Sequence, residues 1–269
     1  MLKQLVDRFF WTHWKAIDTE TRGQSTGPRS AVFKALVTVA VGAGVLTLLQ
    51  YTILRGDLQD AVSRQIPDIA AHFLSAETGD WLRSYQPLIR PMVWSLGCIF
   101  FYFIVPATVV KLVFQERLRD WGMSVEGYFR HLWVYAILFL PVGALVWAVS
   151  YTVAFQQNYP FYAHPNGLAD FLVWEIMYAV QFCALEYFFR GFLLNGLKER
   201  LGVDAILLMI IPYCMIHFQK PLLETFGAIV AGLILGLLAL RTRSIWGGAT
   251  IHVAVATSMD VAALIQRTG

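Results

Sequence analysis

The sequence predicts an all-α fold: a polytopic membrane helix bundle of about seven transmembrane helices with the N-terminus in the cytoplasm. Three observations carry that prediction. Of 269 residues, 57% are hydrophobic and only 14% charged, where a soluble domain carries about 25% charged residues. The apolar residues fall in runs near the ~20 needed to cross a hydrocarbon layer ~30 Å thick. Lys and Arg are shared unevenly among the segments between those runs, as the positive-inside rule requires of a membrane protein.

Residues 1–34 are expected as a cytoplasmic N-terminal segment. They mix aromatic and basic side chains (Phe9, Phe10, Trp11 and Trp14 with Lys3, Arg8 and Lys15) and end in the turn formers of 23–28. This pattern suits an interfacial helix followed by a linker, or an aromatic cluster packed on the protein itself. With Asp7, Asp18 and Glu20 among the bases and no apolar run before position 35, the segment lacks the pattern of a cleaved signal peptide, so the first membrane helix is expected to direct insertion.

Apolar segments follow at 35–54, 92–114, 132–155, 171–197, 205–219, 222–240 and 244–265. The fifth is short and carries Pro212, features that a helix inside a bundle tolerates. Residues 35–165 are read as N-terminal membrane helices interrupted by an extramembrane loop, 55–91, in which Asp57, Asp60, Asp68, Glu77 and Asp80 accompany four arginines. A short amphipathic helix is expected within it. In the sixth segment Ala228, Gly232 and Gly236 recur every four residues, which lets a neighbouring helix approach closely. With the N-terminus inside, the cytoplasmic segments hold fourteen Lys and Arg (among them Lys34, Arg117, Arg119, Lys198 and Arg243) and the opposite side six.

A net charge of +3, scattered along the chain, excludes a nucleic-acid surface. Cys98, Cys183 and Cys214 lie in apolar segments without paired spacing, so they read as small buried hydrophobes and not as a disulfide framework or a zinc site.

Ionisable groups inside a span cost about 2.5–3.5 kcal/mol each on insertion scales, so those present need a partner or a task. The fourth segment contains Glu175, Glu186 and Arg190, the fifth His217, the sixth Glu224 near its start, and the seventh His252 and Asp260. Glu186 and Arg190 are spaced as an i,i+4 helix pair with the acid first; Glu175, nearly three turns earlier, shares their side. At about 1.5 Å per residue, Glu186, His217 and His252 lie roughly 16, 18 and 12 Å from the cytoplasmic ends of their helices. Two readings stand at this point: a structural ion pair with interhelical histidines, or groups gathered near mid-membrane for catalysis or ion handling.

The run Leu185-Glu186-Tyr187-Phe188-Phe189-Arg190-Gly191, then Tyr213 followed four residues on by His217, then His252 four residues before Ala256, resembles the three motifs of the CAAX protease and bacteriocin-processing (CPBP, Abi/Rce-type) family of glutamate-dependent intramembrane proteases. The family's pattern is EExxxR, an aromatic with xxxH, and HxxxN. The resemblance covers about 170–265 and makes 166–269 a CPBP-like catalytic-type helix bundle. Two positions depart from the pattern. Leu185 stands where the family has its first glutamate, the general base, and Ala256 where it has an asparagine that helps bind the oxyanion.

The resemblance implies an intramembrane endopeptidase that hydrolyses a peptide bond of a membrane-associated protein or peptide. Glu186 would activate a water oriented by His217, His252 would hydrogen-bond the oxyanion, and Arg190 would hold the carboxylate. Tyr213 and Asp260 are expected on the substrate side. No cofactor or metal is expected; the partners are the substrate and the lipid bilayer, in a bacterial inner membrane, and no nucleic acid. Open beside it are a catalytically inactive membrane scaffold, as Leu185 and Ala256 permit, a metal-dependent hydrolase using two histidines and a glutamate without the HExxH spacing, and a small proton-coupled carrier.

Overall fold

The computed structural model describes residues 11–23, 28–126 and 128–268; Lys3, Asp7, Arg8, Phe9 and Phe10, and the turn formers at 24–27, lie outside them. Among the described residues every regular element is helical, apart from one isolated β-bridge between Met123 and Ser244. In order these are α1 (Thr12–Gly23), α2 (Pro28–Thr52), α3 (Asp57–Phe73), α4 (Ala76–Ser84), α5 (Gln86–Ile99), α6 (Val105–Leu112), α7 (Leu132–Val149), α8 (Val153–Gln156), α9 (Leu168–Glu186), α10 (Leu194–Leu201), α11 (Ala205–Met215), α12 (Leu222–Thr242) and α13 (Trp246–Thr268). Two π-helical stretches, Phe100–Ile104 and Tyr187–Leu193, join α5 to α6 and α9 to α10.

Six stretches among the described residues are long and apolar enough to cross a membrane, against about seven expected. The difference lies in the fourth, Leu168–Met215, whose 48 residues contain the fourth expected segment and most of the fifth. Alone, α11 has 11 residues and reaches only about 17 Å, short of the hydrocarbon layer. Gly202, with φ 64°, turns the chain between α10 and α11. Segment 55–91, expected as a loop with one short helix, is helical almost throughout: Ser75 caps α4 by accepting from the Thr78 N–H at 3.1 Å, and a proline stands in the first turn of α5. These are ordinary helix starts, obscured in the sequence by the density of charge.

The chain divides into two compact units, residues 1–43, 106–136 and 186–250 in the first and 44–105, 137–185 and 251–269 in the second. In the first, α1 packs on α10 and on the Gly202–Asp204 turn, with the Val203 N–H donating to Asp18 Oδ1 at 3.0 Å. The described part of the N-terminal segment therefore packs on the protein. Small residues set the helix spacing. A Cβ on Gly196 would strike Thr38, one on Gly42 would strike Leu193, and Gly232 and Gly236 lie against Ile210 and Ile206 of α11, so the four-residue repeat of α12 has the close neighbour it calls for. Buried Lys34 bridges Glu116 and Glu199, each at 2.6 Å, and Arg243 pairs with Glu20 at 2.8 Å. Segments that the charge tally assigns to a common side thus meet within one unit.

In the second unit the aromatic rings of Trp94, Phe161, Trp174 and Tyr178 pack together, Phe161 lying nearly parallel to Trp174 at 5.4 Å between centres. Arg267 donates to the Gln156 and Tyr159 carbonyls, and the Asn166 amide to the Ser84 carbonyl. These segments too share one expected side.

Candidate active site

Glu186 closes α9 and Arg190 lies in the π-helical stretch that follows. A π-turn displaces backbone carbonyls from their ordinary partners, and such turns gather at functional sites. Here the displaced groups are taken up by Asn195, whose amide donates to the Arg190 carbonyl at 3.0 Å and the Gly191 carbonyl at 2.7 Å. Gly191 lets the Trp121 carbonyl and the Tyr187 ring approach closer than any Cβ would allow. Around it Tyr187, Phe188, Phe189 and Phe192 are all fully buried. The turn is held rigidly and sealed from solvent.

Glu186 is 0% and Arg190 1% exposed, and Arg190 Nη1 donates to Glu186 Oε1 at 2.9 Å. Burial removes water from both charges, so the pair survives only by mutual neutralisation. The guanidinium carbon lies 4.0 Å from the centre of the Tyr213 ring, a desolvated cation–π contact of the kind worth about 2 kcal/mol. Arg190 Nε and Nη2 have no hydrogen-bond partner among the described residues; the ring face serves in place of one. On the other side, a Cβ on Gly248 of α13 would collide with Glu186 Oε2. The carboxylate sits where only glycine leaves room.

His217 lies beyond the end of α11, in the turn leading to α12, and not inside a helix over 205–219 as expected. Pro212 within α11 and Pro221 at the start of α12 bracket this turn. Its ring meets Tyr213 edge-on with centres 4.9 Å apart, and Nδ1 lies 2.7 Å from the Tyr213 carbonyl. A carbonyl only accepts, so Nδ1 carries the proton and the neutral ring presents Nε2 as its basic nitrogen. The Thr225 hydroxyl ties the turn down by donating to the His217 carbonyl at 2.8 Å. Glu186, Arg190, Tyr213 and His217 thus form one connected chain in the first unit.

His252 and Asp260 belong to the second unit. His252 stacks on Phe182, centres 5.2 Å apart and planes 15° from parallel. Asp260, 0% exposed, accepts from the Phe161 N–H at 2.9 Å and lies beside Glu175, which accepts from Thr257 at 2.9 Å. Ala256 is buried against Trp174 and Tyr178 in the aromatic cluster.

Among the described residues no group of three or more His, Cys, Asp or Glu side chains gathers to hold a metal ion. Sequence reasoning missed Asn195 and Gly248. The signal for the first was an asparagine just beyond a motif in an apolar helix; for the second there was none, because only the packing of α13 shows what its glycine faces.

Residues 167–258 match the family model described as Rce1-like, type II CAAX prenyl endopeptidase. This segment is Rce1-like. It contains both glutamates of α9, Arg190, Tyr213, His217, Gly248 and His252, and the matched family is a protease family. No curated protein and no solved structure matches the chain. Six stretches among the described residues are long and apolar enough to cross a membrane, so the protein is an integral membrane protein, and its 167–258 segment is similar to a protease family.

Proposed function

We propose that the protein is an intramembrane endopeptidase that hydrolyses a peptide bond of a membrane-associated protein or peptide with Glu186 as general base. The observation that carries this reading is the seating of the Glu186 carboxylate, held by Arg190 on one side and cleared by Gly248 on the other, inside the Rce1-like segment. A carboxylate held in this way is a group of the kind that serves as a general base.

In the proposed reaction a water gives its proton to Glu186 as its oxygen bonds to the scissile carbonyl carbon. His217, with Nε2 as its basic nitrogen, orients that water. The resulting oxyanion is stabilised in this reading by a hydrogen bond from His252, the role the resemblance implies for it. Glu186 then returns the proton to the amide nitrogen as the carbon–nitrogen bond breaks, releasing a new carboxyl and a new amine. Turnover requires that the buried carboxylate be uncovered for water to reach it. Tyr213 and Asp260, 1% and 0% exposed, act in this reading as positioning residues, the first beneath Arg190 and the second on Phe161. In this reading the chain lies in a bacterial inner membrane, and the Lys and Arg distribution supports placing its N-terminus in the cytoplasm.

The test is Glu186→Gln, which keeps size and loses proton acceptance. With a substrate found by comparing membrane proteomes with and without the protein, turnover should fall by about 10²–10⁴-fold while thermal stability in detergent changes little. A Gln variant that cleaves at the wild-type rate removes Glu186 as base. Loss of stability on the order of 3–5 kcal/mol instead, with no processed substrate in the wild type, marks the pair as structural and the protein as an inactive scaffold.

A further inference from the structure

The second unit carries a half-open cavity of about 450 Å³ that the proteolytic reading does not use, formed where the end of α2 and the start of α3 meet α5 and the 161–164 segment. Its walls have two characters. One is cationic: Arg55 and Arg90, with His164 nearby. The other is apolar and aromatic, chiefly Trp94 and Phe161. Trp94 and Phe161 pack with tilted rings, centres 4.9 Å apart, and the Phe161 N–H bond to Asp260 fixes that wall.

The cationic wall is built around Gly56. Its φ of 87° lies in the left-handed region that glycine enters without strain, and a Cβ there would stand 3.3 Å from Arg90 Nη2. The two guanidinium groups are therefore carried on either side of a bare turn. Arg55 rests on the Tyr51 ring, 4.5 Å from its centre, and Arg90 donates through Nε to Asp60. Asp60 lies in the neighbouring groove and no carboxylate lines the cavity itself, so the wall keeps a positive field on the side facing the space.

Depth decides what such a cavity would hold. Candidate span Ser30–Thr52 ends three residues before Arg55, and span Gln86–Leu112 begins four before Arg90. Arginines at the two span ends stand at the level of lipid headgroups, and aromatic rings one turn deeper stand at the start of the hydrocarbon. Phe73 at the end of α3, Leu74 just after it and Trp81 in α4 are exposed at 76%, 74% and 59%, as side chains of helices lying against a bilayer are. We infer that this cavity is a binding site for an anionic phospholipid, its phosphate between Arg55 and Arg90 and its glycerol and first acyl carbons against Trp94 and Phe161.

The inference is independent of the protease reading and is tested without it. The full-length protein is released from nanodiscs holding equal amounts of phosphatidylglycerol and phosphatidylcholine, and retained lipid is counted by native mass spectrometry. Wild type should keep phosphatidylglycerol in preference. Arg55→Gln, which leaves the Arg90–Asp60 bond in place, should weaken that retention about tenfold, the cost of one charge-assisted hydrogen bond to a phosphate, and the Arg55→Gln/Arg90→Gln double variant should abolish the preference. Arg64→Gln, in the neighbouring groove, should retain lipid as wild type does. Equal retention of the two lipids, or a preference unchanged in the double variant, overturns the site. Displacement of phosphatidylglycerol by an equal concentration of free glycerol phosphate overturns the lipid assignment in favour of a soluble anion.

Discussion

At the scale of single residues the candidate site depends on what surrounds Glu186. Gly248 faces its Oε2 and Gly227 faces open space, which makes a controlled comparison. Gly248→Ala must push the carboxylate away from its seat; overpacking of this kind costs about 1–3 kcal/mol, and turnover should fall even though no proton-transferring group has changed. Gly227→Ala should be neutral or stabilise by about 0.5–1 kcal/mol, as alanine does in a helix. Thermal melts read the first effect and cleavage rates the second. Arg190→Lys keeps the charge but gives up the flat face on Tyr213, so it too should lower stability, by about 2 kcal/mol. Of this site the Glu186–Arg190 pair was legible from its spacing alone, since four residues on a helix always bring two side chains together. Tyr213 under the guanidinium was not, because a cation–π contact between helices leaves no periodic trace. The same holds for Ala256, whose aromatic surroundings come from segments far apart in the chain.

At the scale of elements, the π-helical stretch Tyr187–Leu193 has no signature in hydrophobic pattern, so the sequence reads as an uninterrupted helix through 171–197. Asn195 holds it. Asn195→Ala leaves the Arg190 and Gly191 carbonyls without the amide, a loss of about 1–3 kcal/mol for buried groups, and frees the turn that carries Arg190 to shift. The expected result is a lower melting temperature together with lower activity; unchanged activity in a stable Asn195→Ala protein would show that the turn does not position the pair. The long apolar helices were legible because membrane-length runs are hard to mistake. Their joints were not: α11, read as a span over 205–219, ends at Met215, and the helices of 57–99 carry charge patterns that resemble a loop.

At the scale of the whole molecule, sidedness is the claim most open to experiment. Single cysteines at Glu126 and Arg243 should react with a membrane-impermeant reagent only after the cytoplasmic side is opened, and one at Asn166 should react from outside. Labelling of Arg243→Cys and Asn166→Cys from the same side would contradict the charge tally. The contacts of Lys34 with Glu116 and Glu199 also bear on how the protein is made. Lys34 reaches the membrane with the first span, but Glu199 is synthesised 165 residues later, a delay of about ten to thirty seconds at about 5–20 residues per second. During that wait the ammonium has at most Glu116 for company, so the three-residue cluster closes only once the fourth span has been made.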